Sequence, residues 1–171
     1  MKIFSNRFKP VVVGLLLATG FTSSAQADVL MLGSETEISS SIAQNFKQQV
    51  TYYTGRQDLG DVLYVNMGTI SDDEFQMAKS QVLKRALVIL DFSDVVSPEE
   101  RASYSAQITG VGLSSRYVVS GVENNELIIN GIVEDVHDVN GQPVDDASEK
   151  MKGIKNSMKH VLERFKFGEG E

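Results

Sequence analysis

The 171-residue sequence predicts an α/β fold: a mixed sheet with helices on both faces, in thioredoxin-like order and without a redox cysteine pair. Three observations predict it. Ala86-Leu87-Val88-Ile89-Leu90 is apolar without alternation, as a central strand covered on both faces must be. N-cap signatures at Ser34/Glu37, Ser71/Glu74 and Ser97-Pro98 open amphipathic helices between short apolar runs. Asn124-Asn125, two residues that tolerate positive φ, separate two strand-like runs and mark a tight antiparallel hairpin. The alternative is a ferredoxin-like α+β sandwich, with its helices gathered on one face of the sheet.

The elements follow in order β-α-β-α-β-α-β-β-α. Val29 to Leu32 is a first strand. Ser34 and Glu37 form a capping box, and Ile38, Ile42, Phe46, Val50 and Tyr53 recur at helical spacing up to the stop at Gly55. Residues 61–67 read as a strand through Val62, Leu63 and Val65. Ser71 and Glu74 cap a second helix that buries Phe75, Ala78 and Val82. After the central strand, Ser97-Pro98-Glu99-Glu100 opens a third helix that ends near Gly110. The hairpin strands occupy 117–122 and 127–133. A polar stretch over 134–149 holds six acidic groups and no basic one. The last helix then sets Ala147, Met151, Ile154, Met158, Val161 and Phe165 in one stripe, with Lys150, Lys152, Lys155 and Lys159 towards water. Past Phe167 the chain is expected to fray.

Residues 1–27 have the layout of a cleavable signal peptide. Lys2, Arg7 and Lys9 make the positive start, Val11 to Leu17 an apolar run, and Ala25-Gln26-Ala27 the small residues that signal peptidase accepts. The apolar run is about half the roughly 20 residues a membrane span needs, so no membrane insertion is expected after cleavage. The expectation is a periplasmic or secreted product, with residues 28–171 forming a single globular domain.

The leader holds three of the 16 basic residues and no acidic one, so residues 28–171 carry 13 basic against 23 acidic groups, a net charge of −10. Such a surface repels nucleic acid and anionic lipid. With no cysteine in the chain, thiol–disulfide chemistry is excluded and packing must hold the domain. Ser93-Asp94-Val95-Val96 stands where a thioredoxin would carry its redox pair.

The residues offer no catalytic constellation. Only His137 and His160 are present, neither in a motif with Ser114 or Ser115. Around Asp135-Val136-His137-Asp138-Val139-Asn140-Gly141 a calcium loop fails in register: with Gly141 sixth, positions one and twelve fall on Val136 and Ala147. Gly110-Val111-Gly112 precedes a strand instead of opening a helix, so it is no dinucleotide fingerprint. Catalytic, cofactor-binding and metal-binding residues are therefore expected to be none, and the chain is expected to be no enzyme but a protein-binding module.

Over 84–93, KRALVILDFS, and 106–129, AQITGVGLSSRYVVSGVENNELII, the chain resembles the amino-terminal pro-domains of Vibrio cholerae cytolysin-type pore-forming haemolysins. The shared pattern is a basic pair, a buried strand ending in Asp91-Phe92-Ser93, a helix, the Gly110-Val111-Gly112 turn and a hairpin closing on Glu126-Leu127. With no toxin domain attached, it also resembles the stand-alone chaperone encoded beside the Vibrio vulnificus haemolysin. The resemblance implies a periplasmic chaperone that assists folding and secretion of a pore-forming haemolysin or cytolysin by direct binding. The competing reading is a periplasmic solute-binding or structural protein of the same fold without a toxin client.

The partner surface is expected on the hairpin's second strand, at Leu127, Ile128, Ile129 and Ile132. A strand at the sheet edge presents unpaired N–H and C=O groups, and this one lacks the Lys or Pro that usually protects an edge. Expression with export should yield a product whose intact mass begins at Asp28; a membrane-bound form retaining residues 1–27 would refute the cleavage site.

Overall fold

The computed structural model describes residues 28–57, 62–134, 137 and 140–168. The proposed leader and the chain end past 168 lie outside them, as do Asp61 and four residues of the acidic loop, Asp135, Val136, Asp138 and Val139.

The elements are β1 (Val29–Leu32), α1 (Glu37–Phe46), β2 (Val50–Tyr52), β3 (Val62–Asn66), α2 (Asp72–Leu83), β4 (Leu87–Asp91), α3 (Pro98–Thr109), β5 (Tyr117–Glu123), β6 (Glu126–Gly131) and α4 (Ala147–Arg164). One six-stranded sheet runs β2-β1-β3-β4-β5-β6. β2, β1, β3 and β4 are parallel, and β5 and β6 are antiparallel to their neighbours.

Alternation along the strands sorts the core into two layers. Val29, Met31, Val62, Tyr64, Ile89 and Val119 meet Ile38 and Ile42 of α1 and Ile154, Met158 and Leu162 of α4. Leu30, Leu32, Leu63, Val65, Val88, Leu90 and Val118 meet Ala78 and Val82 of α2 and Ile108 of α3. The expected mixed α/β sheet with two helical faces is present, and the one-faced ferredoxin-like alternative is ruled out. Within that class the parallel strands wind outward in both directions from β1 and β3, the pattern of a doubly wound sheet. Linear element order carries no such spatial information.

Two expectations at the start of the chain are corrected. Thr36, not Ser34, caps α1: its hydroxyl accepts from Ser39 N while Ser39 Oγ accepts from Thr36 N, so Glu37 is the first helical residue. The helix stops at Phe46, with Lys47 left-handed at φ 55°. Val50 and Tyr53 therefore leave the helical stripe. Val50–Tyr52 becomes the edge strand β2, and Tyr53 turns to the other layer, where its hydroxyl accepts from Gln81 Nε2 of α2 at 2.7 Å. The β-branched and aromatic Val-Thr-Tyr-Tyr run favours a strand, and its helical spacing was coincidental.

The other caps match expectation. Ser71 and Glu74 form a reciprocal capping box, Ser97 caps α3 with Pro98 at its first turn, and Gly110 ends that helix at φ 83°. Glu74 also accepts from Gly33 N, and the Ser71 backbone bond, the largest influence, holds its carboxyl below the usual range. In α4, Ile154, Met158 and Leu162 are buried, while Met151, Val161 and Phe165 are half-buried. Leu162 is absent from the expected stripe. Of the lysines expected to face water, Lys152 and Lys159 are exposed, and Lys150 and Lys155 pair at the surface with Asp145 and with Glu37 of α1, each at 2.6 Å.

A buried polar knot lies in the α1/α4 layer, at the C-terminal ends of β3 and β4. Tyr64 Oη donates to Asp91 Oδ2 at 2.5 Å, Thr36 Oγ1 lies 2.8 Å from the same hydroxyl, and Ser93 N donates to Asp91 Oδ1 at 2.8 Å. Burial, then the Asp91 charge, raises the Tyr64 hydroxyl far above its ordinary value and pushes Tyr117 up to about 12. Removing the Tyr64 hydroxyl leaves a buried carboxylate one donor short, so Tyr64→Phe should cost about 1–3 kcal/mol in urea unfolding. Both tyrosines have raised folded-state values, so the stability they contribute is intact below about pH 10 and is lost as pH rises from there towards 12. The urea midpoint should fall across that window, and less steeply in Tyr117→Phe.

Candidate functional site

In a doubly wound sheet, ligands settle beyond the carboxyl ends of the strands at the point where winding reverses, here between β1 and β3. That position is filled by the chain itself. Asn66 Nδ2 donates to Ser34 O, Ser34 N to Thr69 Oγ1, and Gly68 N to Asn66 Oδ1. A side chain on Gly33 would stand 2.5 Å from Thr69 Oγ1 and 2.9 Å from Asn66 O, and Gly33 has the positive φ, 77°, that suits glycine. The polar groups there hold β1, β3 and α2 together.

The serines and histidines considered for catalysis are not brought together. Ser114 O accepts from Arg101 Nε at 2.6 Å on the segment that returns along α3. His160 is on α4, across the sheet, where it pairs with Glu163 at 3.4 Å. His137 bridges Pro143 within the acidic stretch. No group of three or more His, Cys, Asp or Glu residues is placed to hold a metal ion among the described residues. A groove of about 640 Å³ between α1 and α4 is lined by Glu37, Ser41, Asn45, Met151, Lys152 and Lys155 among others, and is bridged by the Lys155–Glu37 pair.

The hairpin is the remaining candidate, and its geometry can be built from the turn. Asn124 and Asn125, at φ 50° and 66°, form a two-residue loop with both residues left-handed, as a type I′ turn requires. The register then pairs Glu123 with Glu126, Val122 with Leu127, Gly121 with Ile128, Ser120 with Ile129, Val119 with Asn130 and Val118 with Gly131. Beyond the strand, Ile132 N donates to Tyr117 O at 2.9 Å. Since hydrogen-bonded and non-bonded pairs alternate in an antiparallel ladder, residues 126, 128, 130 and 132 bond inward to β5. The N–H and C=O groups of Leu127, Ile129 and Gly131 therefore point away from the sheet, along its outer edge.

Side chains follow the same alternation. Leu127 and Ile129 share a face with Val122, over the α2/α3 layer: Ile129 packs against that core, while Leu127 and Val122 remain 37 % and 36 % exposed. Ile128 falls on the α4 side, opposite Gly121, where Phe165 closes down so tightly that a Gly121 side chain would stand 2.9 Å from its ring. Arg164 grips Glu123 through two nitrogens at the same place and, by that hydrogen bond, holds the Glu123 carboxyl below the usual range. The α4 side of the hairpin is thus covered, and the opposite side is partly open.

Of the four residues expected to meet a partner, the structure brings Leu127, Ile128 and Ile129 onto the edge strand. Ile132 is a core residue, 4 % exposed in the α1/α4 layer. Gly131, which sequence reasoning missed for want of a side chain, supplies the third outward backbone pair; its face is closed by Ser115, whose Oγ would lie 2.2 Å from an added side chain.

Fold and site together define a cysteine-free α/β domain with an outward-facing β-edge. The chain is 40 % identical over 145 residues to the cytolysin secretion protein of Vibrio vulnificus, a match spanning 85 % of this chain and 86 % of the relative. It belongs to the family of that cytolysin secretion protein. No protein-family model matches the chain, and no solved structure does.

The division between core and edge can be measured. Ile132→Ala should lose about 2–5 kcal/mol in urea unfolding, the cost of emptying a buried site. Leu127→Ala should lose less than about 1 kcal/mol.

Proposed function

We propose that this protein is an exported chaperone that binds a pore-forming cytolysin and assists its folding and secretion. The observation that carries the reading is the 40 % identity, over most of both chains, to a protein named for cytolysin secretion. The resemblance of the 84–93 and 106–129 segments to toxin pro-domains supports the same client class. The signal-like leader supports an encounter in the periplasm or beyond, where a secreted toxin would pass.

The structure supports binding over catalysis as the mode of action. The crevice where a doubly wound sheet ordinarily takes a ligand is knotted shut by Asn66, Thr69 and Ser34. Polypeptide recognition needs no such crevice, because a sheet edge offers main-chain donors and acceptors directly. The net charge of −10 over residues 28–171 keeps the carrier soluble and suits a client with basic surface.

The test is coexpression of the full chain with the cytolysin of the same genome, reading haemolytic activity in the medium and the periplasm. Active exported toxin should rise several-fold over cells expressing the toxin alone, and a tagged copy of this chain should bring down the toxin stoichiometrically. No rise in active toxin, with no toxin recovered on the tag, would overturn the reading.

A further inference from the structure

We propose that the outer edge of β6 is completed by an extended strand of the client, hydrogen-bonded to the outward backbone groups of Leu127, Ile129 and Gly131, with alternate apolar side chains against Leu127 and Val122 and a basic residue beside Glu126. The inference rests on the secretion-chaperone reading and assigns its contact surface.

Three observations point to this occupant. The hairpin register and the Ile132 N to Tyr117 O bond place three successive outward N–H and C=O pairs on one edge, at residues 127, 129 and 131. The hairpin's most exposed apolar side chains, Leu127 and Val122, lie on one face, each over one-third exposed, whereas Ile128 is half-buried on the other. An added strand would therefore bury side chains at every second position on this face, while the α4 side is already filled by Phe165.

Charge separates a client from a second copy of this chain. Glu126 opens the strand and makes no ion pair among the described residues, and Glu134 follows it, joined to Arg116 at 3.4 Å. A second β6 would bring the same acidic flanks to the seam on a chain already at −10, so like charges would gather along it. A client strand with a lysine or arginine at its end would meet Glu126 favourably. β6 itself has none of the Lys or Pro with which edges are normally guarded.

The experiment compares the wild-type chain with Ile129→Pro and Ile129→Val in the coexpression assay. Proline removes an outward N–H that β5 does not use, whereas valine keeps it. Ile129→Pro should retain the wild-type circular dichroism spectrum and lose most of the several-fold gain in exported haemolytic activity; Ile129→Val should keep it. Should Ile129→Pro fail to fold, Leu127→Lys is the substitute, since its side chain is already exposed. Amide hydrogen exchange on the purified full chain gives a second readout. Leu127 and Ile129 should exchange at least ten-fold faster than Ile128 and Asn130 in the free protein and slow at least ten-fold with the toxin bound.

Failure of the wild type to raise toxin secretion would sink the chaperone reading. Rescue by the wild type and equally by folded Ile129→Pro or Leu127→Lys would sink the edge alone. Slow exchange at Leu127 and Ile129 in the free monomer would show that the chain covers its own edge, and a dimer in sedimentation that Ile129→Pro dissociates would show that a second copy occupies it; either result overturns the proposal.

Discussion

Every residue of β1 and β3 is at most 3 % exposed, and β4 is buried from Val88 onward. A sheet buried on both faces must carry helices on both, and in a chain without cysteine those helices are held by packing and polar contacts with no disulfide. This requirement sets the roles of the other elements. α1 and α4 close one layer, tied at the surface by Lys155 and Glu37, and α2 and α3 close the other. Polar groups that enter the interior must find partners within it, and the Tyr64–Asp91–Ser93 bonds meet that demand at the ends of the central strands. Once both faces are covered, the outward-pointing main chain of the sheet, among the described residues, lies at its two edges, β2 and β6.

The two edges differ in kind. β2 contributes three residues, with Tyr52 exposed and Gln57 Nε2 donating to its carbonyl, so part of that edge is already satisfied. β6 contributes six, held in register by a type I′ loop and by the Arg164–Glu123 clasp from α4. A rigid edge loses little entropy when another strand joins it, because its own backbone is already fixed. The same clasp explains why the open side is the α2/α3 side: α4 ends over Gly121, and a side chain there would collide with Phe165.

Much of this was legible in the sequence where local chemistry decides structure. The unbroken apolar run at 86–90 announced a strand covered on both faces, and Ser71, Ser97, Gly110 and Asn124-Asn125 marked ends and turns through local hydrogen bonds and permitted φ values. Reading failed where two periods coincide. Ile38, Ile42, Phe46, Val50 and Tyr53 fit a helix, but the last two stand in or beside a strand that forms only because β1 offers a parallel partner. Tertiary pairing overrode the pattern there. Sheet order was equally out of reach, since the side of β1 on which β2 settles is decided across the sheet and not along the chain. At the site, the apolar character of 127–133 identified the edge strand but not its division of labour. Ile132 looks like Ile128 and Ile129 in composition; only the bond from its N–H to Tyr117 O and its place beside α4 make it core. Gly131 has no side chain to draw attention, yet its backbone belongs to the edge.

The length of that edge bears on how a secretion partner would be held. Six strand residues span about 20 Å, and one strand laid along them with a few alternate side chains on Leu127 and Val122 covers less than the roughly 1,200–2,000 Å² typical of stable, specific complexes. Contact through the edge alone would therefore be weak and quickly reversed, since most of the variation in affinity among related contacts appears in the off-rate. Weakness would suit the proposed chaperone role. A carrier for a chain in transit would have to prevent that chain's unpaired strands from meeting each other and then give them up, and a main-chain contact that reads little side-chain detail can do both. Tighter holding would require a second surface beyond the strand. Affinity would then scale with how far the client reaches past β6, so the same edge could grip a long unfolded segment and release it as its strands find partners of their own.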